Sequence, residues 1–241
     1  MKKILFGLSL LMASDVYADT CIPKPDCADM GYTKTSCSGA YLKCPFDTSK
    51  MACLADENAG RLCLVGMIYY SDGTCDSVVY LTKTPIGVVV KTNELVMSLV
   101  TESMTWASSY VDVSGVTNYT SKTSATTDYN GKANTLAIVS AYPSDTTSNN
   151  AAIYCNSYST AGTSAGQWYL PAAGEIYGYI YASYVTLEAT FGALGKSFTD
   201  NYLWSSSEYS ASSAWGVLAL SGGVIGLGRA GYYSVSCFLE I

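Results

Sequence analysis

The chain has 241 residues, a net charge of −6, and charged side chains at only 13% of positions. After Lys3 it has no cluster of lysine and arginine, which excludes charge-driven binding to nucleic acid or to anionic membranes. It contains no histidine. Ser–His–Asp and Cys–His catalysis are therefore excluded, as are histidine-ligated metal sites.

The first 18 residues have the features of a secretory signal peptide. Lys2 and Lys3 provide a basic start, an apolar run follows over 4–12, and small or apolar residues stand at Val16 and Ala18. We expect cleavage after Ala18 and export of the remaining chain. The apolar run is shorter than the roughly 20 residues of a membrane-spanning helix, so no direct membrane insertion is predicted.

The cysteines predict disulfide bonds, because the chain has 9 of them behind an export signal. Most lie before residue 80, where apolar runs are few, and we interpret residues 19–65 as a small cysteine-rich module held by bridges. Zinc binding is disfavoured, since there is no histidine and no Cys-x-x-Cys pair. The odd count leaves one thiol free or paired with another chain, so a homo-oligomer stays open.

Strands open the second domain, which we assign to residues 66–241. Residues 68–70 lead into Asp72-Gly73, a hairpin turn signal. The β-branched run 85–90 predicts a buried strand, with residues 94–100 as its partner. Residues 112–130 are rich in Ser, Thr, Asn and Tyr, and they predict a long surface loop.

Helices are predicted in the middle of this domain and strands at its end. Apolar spacing indicates three helices, at 130–140, 149–158 and 173–184. Residues 188–194 extend the third helix after a break. Four short strands are predicted as an antiparallel meander, at 203–209, 215–220, 224–229 and 232–241. The order of these elements is typical of an α+β domain.

Three motifs stand in order along this domain: Trp168-Tyr169-Leu170-Pro171-Ala172-Ala173-Gly174-Glu175, Leu203-Trp204-Ser205-Ser206-Ser207-Glu208-Tyr209, and Ala214-Trp215-Gly216-Val217 with a closing Tyr233-Ser234-Val235-Ser236-Cys237. They resemble the W-x-L-P-x-x-x-E, W-S-S-x-E-Y and A-W-x-V…Y-V-R-C motifs of bacterial C-type-lectin-like domains. Together they resemble the C-terminal domain of legionella-type collagen-like adhesins. The resemblance covers roughly residues 66–241, and it departs at Ser236, where the family usually carries arginine.

The resemblance implies a C-type-lectin-like fold with short antiparallel strands and two to three helices. It also implies a disulfide bond between Cys155 and Cys237, and structural roles for Trp168, Leu170, Pro171, Glu175, Trp204 and Ser205. Glu175 is expected to cap its helix or tie it to the neighbouring turn. The calcium-dependent lectin motifs Glu-Pro-Asn, Gln-Pro-Asp and Trp-Asn-Asp are absent, and no acidic cluster is visible. No metal and no other cofactor is therefore predicted.

The binding surface is predicted in the C-terminal strands and loops, where Tyr, Ser and Gly alternate as they do in antibody paratopes. A polar, solvent-facing sheet would have the same composition. The residues expected to contact a ligand are Glu208, Tyr209, Ser210, Ser212, Ser213, Trp215, Arg229, Tyr232 and Tyr233. Small residues stand there where relatives carry asparagine, a pattern compatible with retroelement-driven diversification.

These observations predict a non-enzymatic ligand-binding protein of adhesin type, secreted or in the cell envelope, that recognises a cell-surface protein or glycan without a metal. Two alternatives stay open. One is a structural envelope or pilus-associated protein joined through the odd cysteine. The other is a cysteine oxidase of the formylglycine-generating type, which shares the broad fold and needs free thiols at Cys155 and Cys237.

Overall fold

The computed structural model describes residues 34–36, 41–43, 49–53, 62–198 and 201–241. The predicted signal peptide and most of the cysteine-rich module lie outside these residues. Within them, no helix is long and apolar enough to cross a membrane.

The described strands are β1 Tyr41–Lys43, β2 Met51–Cys53, β3 Ile68–Tyr70, β4 Cys75–Asp76, β5 Pro85–Lys91, β6 Leu95–Ser98, β7 Glu102–Met104, β8 Trp168–Tyr169, β9 Tyr202–Ser210, β10 Ser213–Leu218, β11 Gly223–Gly228, β12 Tyr233–Val235 and β13 Phe238–Glu240. The described helices are α1 Lys122–Ala125, α2 Gly131–Ala141, α3 Ala151–Ser157, α4 Ala173–Glu175 and α5 Tyr184–Ala193. A π-helical segment, Ile176–Ile180, and a 3₁₀ segment, Tyr181–Ser183, join α4 to α5.

Two sheets form the frame of the main domain, and β1 pairs with β2 in a separate hairpin. The larger sheet has the order β4-β3-β5-β6-β13-β8, and the smaller has the order β11-β10-β9-β12-β7. Strand β5 lies inside the larger sheet, and its residues 86–90 are all buried. Its continuous β-branched run suits a strand covered on both faces. The predicted strand, its pairing with β6 and the hairpin turn at Gly73 (φ 79°) are confirmed.

The predicted meander over 203–241 is wrong in its second half. β9, β10 and β11 are antiparallel neighbours, but β12 lies beside β9 in parallel orientation and β13 joins the other sheet. Between β12 and β13, the backbone N–H and C=O of Cys237 bond the side chain and backbone of Ser98. The last segment therefore links the two sheets, because β12 belongs to one sheet and β13 to the other.

The three predicted helices are confirmed with shifted ends, but the break expected before residue 188 is absent. The helical run continues from Ala173 to Ala193, and its π-helical segment absorbs the irregularity. The segment 112–130 is not wholly a surface loop. It contains α1, which begins after a Ser121 capping box, and it buries the carboxylate of Asp128.

Two disulfide bonds lie among the described residues of 62–241, one local and one between distant segments. Cys155 on α3 bonds Cys237, across 82 positions, and Cys63 bonds Cys75. Cys63 is buried in the same core cluster as Cys155 and Cys237. In the chain-entropy model the longer loop contributes about 4–5 kcal/mol at most.

The candidate recognition surface and its support

Glu208 on β9 and Arg229, just after β11, form an ion pair with no exposed side-chain surface. Both were predicted to contact a ligand, and the structure places both under cover instead. Strand β9 lies between β10 and β12 in the middle of the sheet, and the Arg229 guanidinium lies over the buried ring of Trp106 at 4.2 Å. A pair covered in this way supports other residues instead of meeting a ligand.

Arg229 holds two loops through their backbone carbonyls. Its guanidinium donates to the carbonyl oxygens of Val111 (2.6 Å) and Ser210 (2.7 Å). The Glu208 carboxylate in turn accepts from the backbone N–H of Val113 at 3.3 Å. The ion pair thus ties residues 111–113 and the β9–β10 turn to the end of β11.

The electrostatics of Glu208 reflect opposing effects. Burial raises the pKa of its carboxyl above the ordinary value, and the Arg229 guanidinium and the Val113 N–H oppose that rise. Removing the cation would leave only the Val113 N–H to oppose the effect of burial. The charge of Glu208 therefore depends on Arg229.

Three loops meet above this pair, and we call residues 109–112, 209–213 and 230–232 the three-loop surface. The backbone N–H of Arg229 donates to the Ser212 carbonyl (3.1 Å), which joins the second loop to the third. Tyr110 is 62% exposed and Tyr232 is 70% exposed. Tyr110 was not predicted; its only signal in the sequence is an aromatic residue within a polar stretch.

Tyr209 and Trp215 have different roles within this region. Trp215 is buried, and its indole N–H donates to the Tyr119 carbonyl at 2.9 Å. The Tyr209 ring lies edge-on to it, with ring centroids 5.1 Å apart, and is 41% exposed. A Cβ at Gly226 would lie 3.3 Å from the Tyr209 ring, so glycine lets that ring lie close to β11. Trp215, which was predicted among the contact residues, therefore packs beneath the surface.

The remaining predicted contact residues differ in how far they are exposed. Ser210 and Ser213 are half-buried, and Ser212 is exposed on the turn between β9 and β10. Tyr233 is half-buried, with its ring 5.0 Å from Trp204 in an edge-on contact. The structure therefore leaves Tyr209, Ser212 and Tyr232 exposed, and it turns Tyr233 toward the core.

The residues predicted as structural are buried and join the three motifs to one another. Pro171 accepts from the Ser206 N–H (2.8 Å), and the Ser205 hydroxyl donates to the Trp215 carbonyl (2.7 Å). The indole N–H groups of Trp168 and Trp204 also have acceptors, at 3.0 Å each. Leu170 has no exposed surface.

Glu175 ties α4 to the preceding turn. Its carboxylate accepts from the Ala172 N–H (2.7 Å) and from the Tyr169 hydroxyl (3.0 Å). Burial raises the pKa of Glu175 to about 7, although both hydrogen bonds oppose the rise. Among the residues that the structure describes, no group of three or more potential ligating side chains could hold a metal ion.

Comparison with known proteins gives a likeness of fold. No family model matches the chain, and no curated protein does. Among solved structures, the chain is similar to a fimbrial protein from Bacteroides ovatus, with 18% sequence identity and a TM-score of 0.55. The match covers 73% of this chain and 48% of the fimbrial protein, so the chain spans about half the length of that protein.

Proposed function

We propose that this protein is an exported recognition protein that binds a cell-surface protein or a glycan through the three-loop surface, without a metal and without catalysis. The observation that carries the proposal is the buried Glu208–Arg229 pair, which holds three exposed loops in one arrangement. Tyrosines and serines on those loops offer ring faces and hydroxyl groups to a partner.

Preorganisation is the physical argument for this surface. A loop that is already fixed loses less conformational entropy on binding, so more of the contact energy appears as affinity. Tyrosine adds a large contact area with few rotatable bonds. A buried ion pair is weak evidence for stability, because desolvation offsets much of its attraction. Its clearest contribution is to position the two loops that Arg229 contacts.

The location and the finer fold belong to the same proposal. Disulfide bonds persist outside the reducing cytoplasm, and the similar solved structure is a fimbrial protein. A C-type-lectin-like fold is supported by the α+β arrangement, by the Cys155–Cys237 bond and by direct hydrogen bonds among the three motifs.

A structural subunit of a surface filament is the second candidate, favoured by the likeness to a fimbrial protein. It predicts self-association of the purified chain that rises with concentration, measurable by light scattering. The cysteine-oxidase alternative requires free thiols at Cys155 and Cys237, and the structure joins these two residues in a disulfide.

The proposal is tested by screening the labelled, mature protein on arrays of immobilised glycans and cell-surface proteins. The strongest hit is then measured with the double variant Tyr110→Ser/Tyr232→Ser, which removes two exposed rings from the three-loop surface. We expect at least a tenfold loss of affinity. Leu220→Ser is the matched control. This exposed residue follows β10 at the opposite end of that strand, about 20 Å from the β9–β10 turn. Equal affinities for both variants would overturn the proposal.

A further inference from the structure

A pocket of about 370 Å³ opens on a part of the domain that contributes nothing to the three-loop surface. Its volume lies in the range of small-ligand sites, roughly 300–1,000 Å³. It forms where the β5–β6 turn, the π-helical segment and the end of β13 meet. We call it the acidic–aromatic pocket, and the lining residues that matter here are Lys91, Glu94, Tyr129, Glu175, Tyr179 and Glu240.

The inner carboxylate of the pocket belongs to Glu175. The side chain is only 5% exposed, and within the described part of the chain its hydrogen bonds come from Ala172 and Tyr169, while no lysine or arginine is ion-paired with it. Glu240 and Asp128 add like charge, which together with burial raises the pKa of Glu175. The charge of a cation entering the pocket would oppose this rise and favour the ionised carboxylate.

The aromatic wall already holds one cation. The rings of Tyr129 and Tyr179 lie 5.7 Å apart, and the ammonium of Lys91 lies 5.4 Å from the centre of the Tyr179 ring. Lys91 also forms an ion pair with Glu94. The face of Tyr179 is therefore placed where a positively charged nitrogen can contact it.

The backbone is irregular at this wall. Tyr179 belongs to the π-helical segment. Such segments are rare in proteins overall, but those that occur often lie at functional sites. Gly178, next to it, leaves room for Tyr129, since a Cβ there would lie 2.9 Å from the Tyr129 hydroxyl oxygen. The π-helical turn and the glycine within it thus shape the aromatic wall.

The charge of the lining selects against anions. Three glutamates and one lysine line the pocket. Lys132 pairs with Glu240 at 2.5 Å, and both side chains are about half exposed. The Glu94 carboxylate is ion-paired with Lys91. Glu175 is the lining carboxylate left for an incoming cation.

We propose that the acidic–aromatic pocket binds a ligand that carries a positively charged nitrogen, an ammonium or a guanidinium group, with the cation against the Tyr129 and Tyr179 rings and facing Glu175. The source is either a free amine or the side chain of a partner protein. The site is separate from the proposed recognition surface, and its occupancy does not depend on that surface.

The test is a titration of the full chain followed by NMR chemical shifts at pH 8 and low salt. The probes are n-butylammonium, the methylamide of N-acetyl-lysine, and n-butanol as a neutral analogue of similar size. We expect both cations to bind at least tenfold more tightly than n-butanol. Tighter binding of the lysine derivative indicates a protein side chain as the source, and tighter binding of n-butylammonium indicates a free amine. Equal binding of n-butanol would overturn the proposal.

Variants with opposite expected signs separate the site from general effects of charge. Tyr129→Leu should weaken n-butylammonium binding at least fivefold. Lys91→Met should strengthen it severalfold, because the competing internal cation is gone from the Tyr179 ring. Glu188→Gln removes one negative charge from an exposed position on the same helical run and should leave the affinity unchanged. Weaker binding by Lys91→Met contradicts the proposal. Tyr129 and Lys91 are both partly exposed, so we expect both variants to fold, and circular dichroism checks this.

Discussion

Replacement of Arg229 by Met tests whether the buried ion pair supports the loops above it. The substitution replaces the guanidinium over Trp106 with an apolar side chain and leaves the Glu208 carboxylate buried without its cation. Three further acceptors lose their donor: the carbonyl oxygens of Val111 and Ser210 and the Tyr142 hydroxyl.

The magnitude follows from which groups water can reach. Breaking one partner of a buried pair costs about 3–5 kcal/mol, and a lost hydrogen bond to the buried Tyr142 adds about 1 kcal/mol. The carbonyl groups of Val111 and Ser210 lie nearer the surface and can be rehydrated. We expect the free energy of unfolding to fall by about 4–6 kcal/mol. The double variant Glu208→Met/Arg229→Met should lose less than half of that, because it leaves no unpaired charge.

Urea unfolding followed by tryptophan fluorescence measures both variants, with the unfolding slope checked for two-state behaviour. Lys132→Met is the control, since it breaks an exposed pair with Glu240 and should cost about 0–1 kcal/mol. A loss below about 1 kcal/mol for Arg229→Met refutes the reasoning. So does a double variant as unstable as the sum of the two single variants, because strict additivity means that the two side chains do not interact.

Three other substitutions test the packing around Glu175 and the longer disulfide. The pKa of Glu175 is about 7 in the folded state and 4.5 ordinarily, so between these pH values the folded state binds a proton that the unfolded state has lost. The free energy of unfolding therefore falls by about 3 kcal/mol as the pH rises through that window. Glu175→Gln should remove that component, seen as a smaller difference in unfolding free energy between pH 4.5 and 8 than in the wild type; an unchanged difference argues against it. Gly131→Ala should cost about 1–3 kcal/mol in a urea titration, because the new Cβ would lie 2.1 Å from the Glu175 carboxylate, and wild-type stability contradicts this close packing. Cys155→Ala/Cys237→Ala should lose about 2–5 kcal/mol in thermal unfolding, and an unchanged midpoint shows that the bond adds little.

Local patterns in the sequence were enough to predict several elements. The β-branched run in β5 identified a strand buried on both faces, and Asp72-Gly73 located a hairpin turn. Apolar spacing located α2 and α3, because helical periodicity depends only on residues a few positions apart. The α+β class followed from the order of these elements.

Burial and neighbours across the chain were decided by the tertiary structure. The sequence assigned Glu208, Trp215 and Arg229 to a surface because their composition suits one, but the sheet order places them under cover. Tyr110 reached the same region unpredicted, held there by an arginine that contacts Val111 across 118 positions.

The acidic–aromatic pocket shows the same division. Lys91, Tyr129, Tyr179 and Glu240 belong to separate elements, and no spacing within the sequence relates them. The sequence determined which short segments become strands and helices, since those preferences are local. Only packing decided which side chains meet and which remain exposed, because such contacts join residues that are distant in the chain.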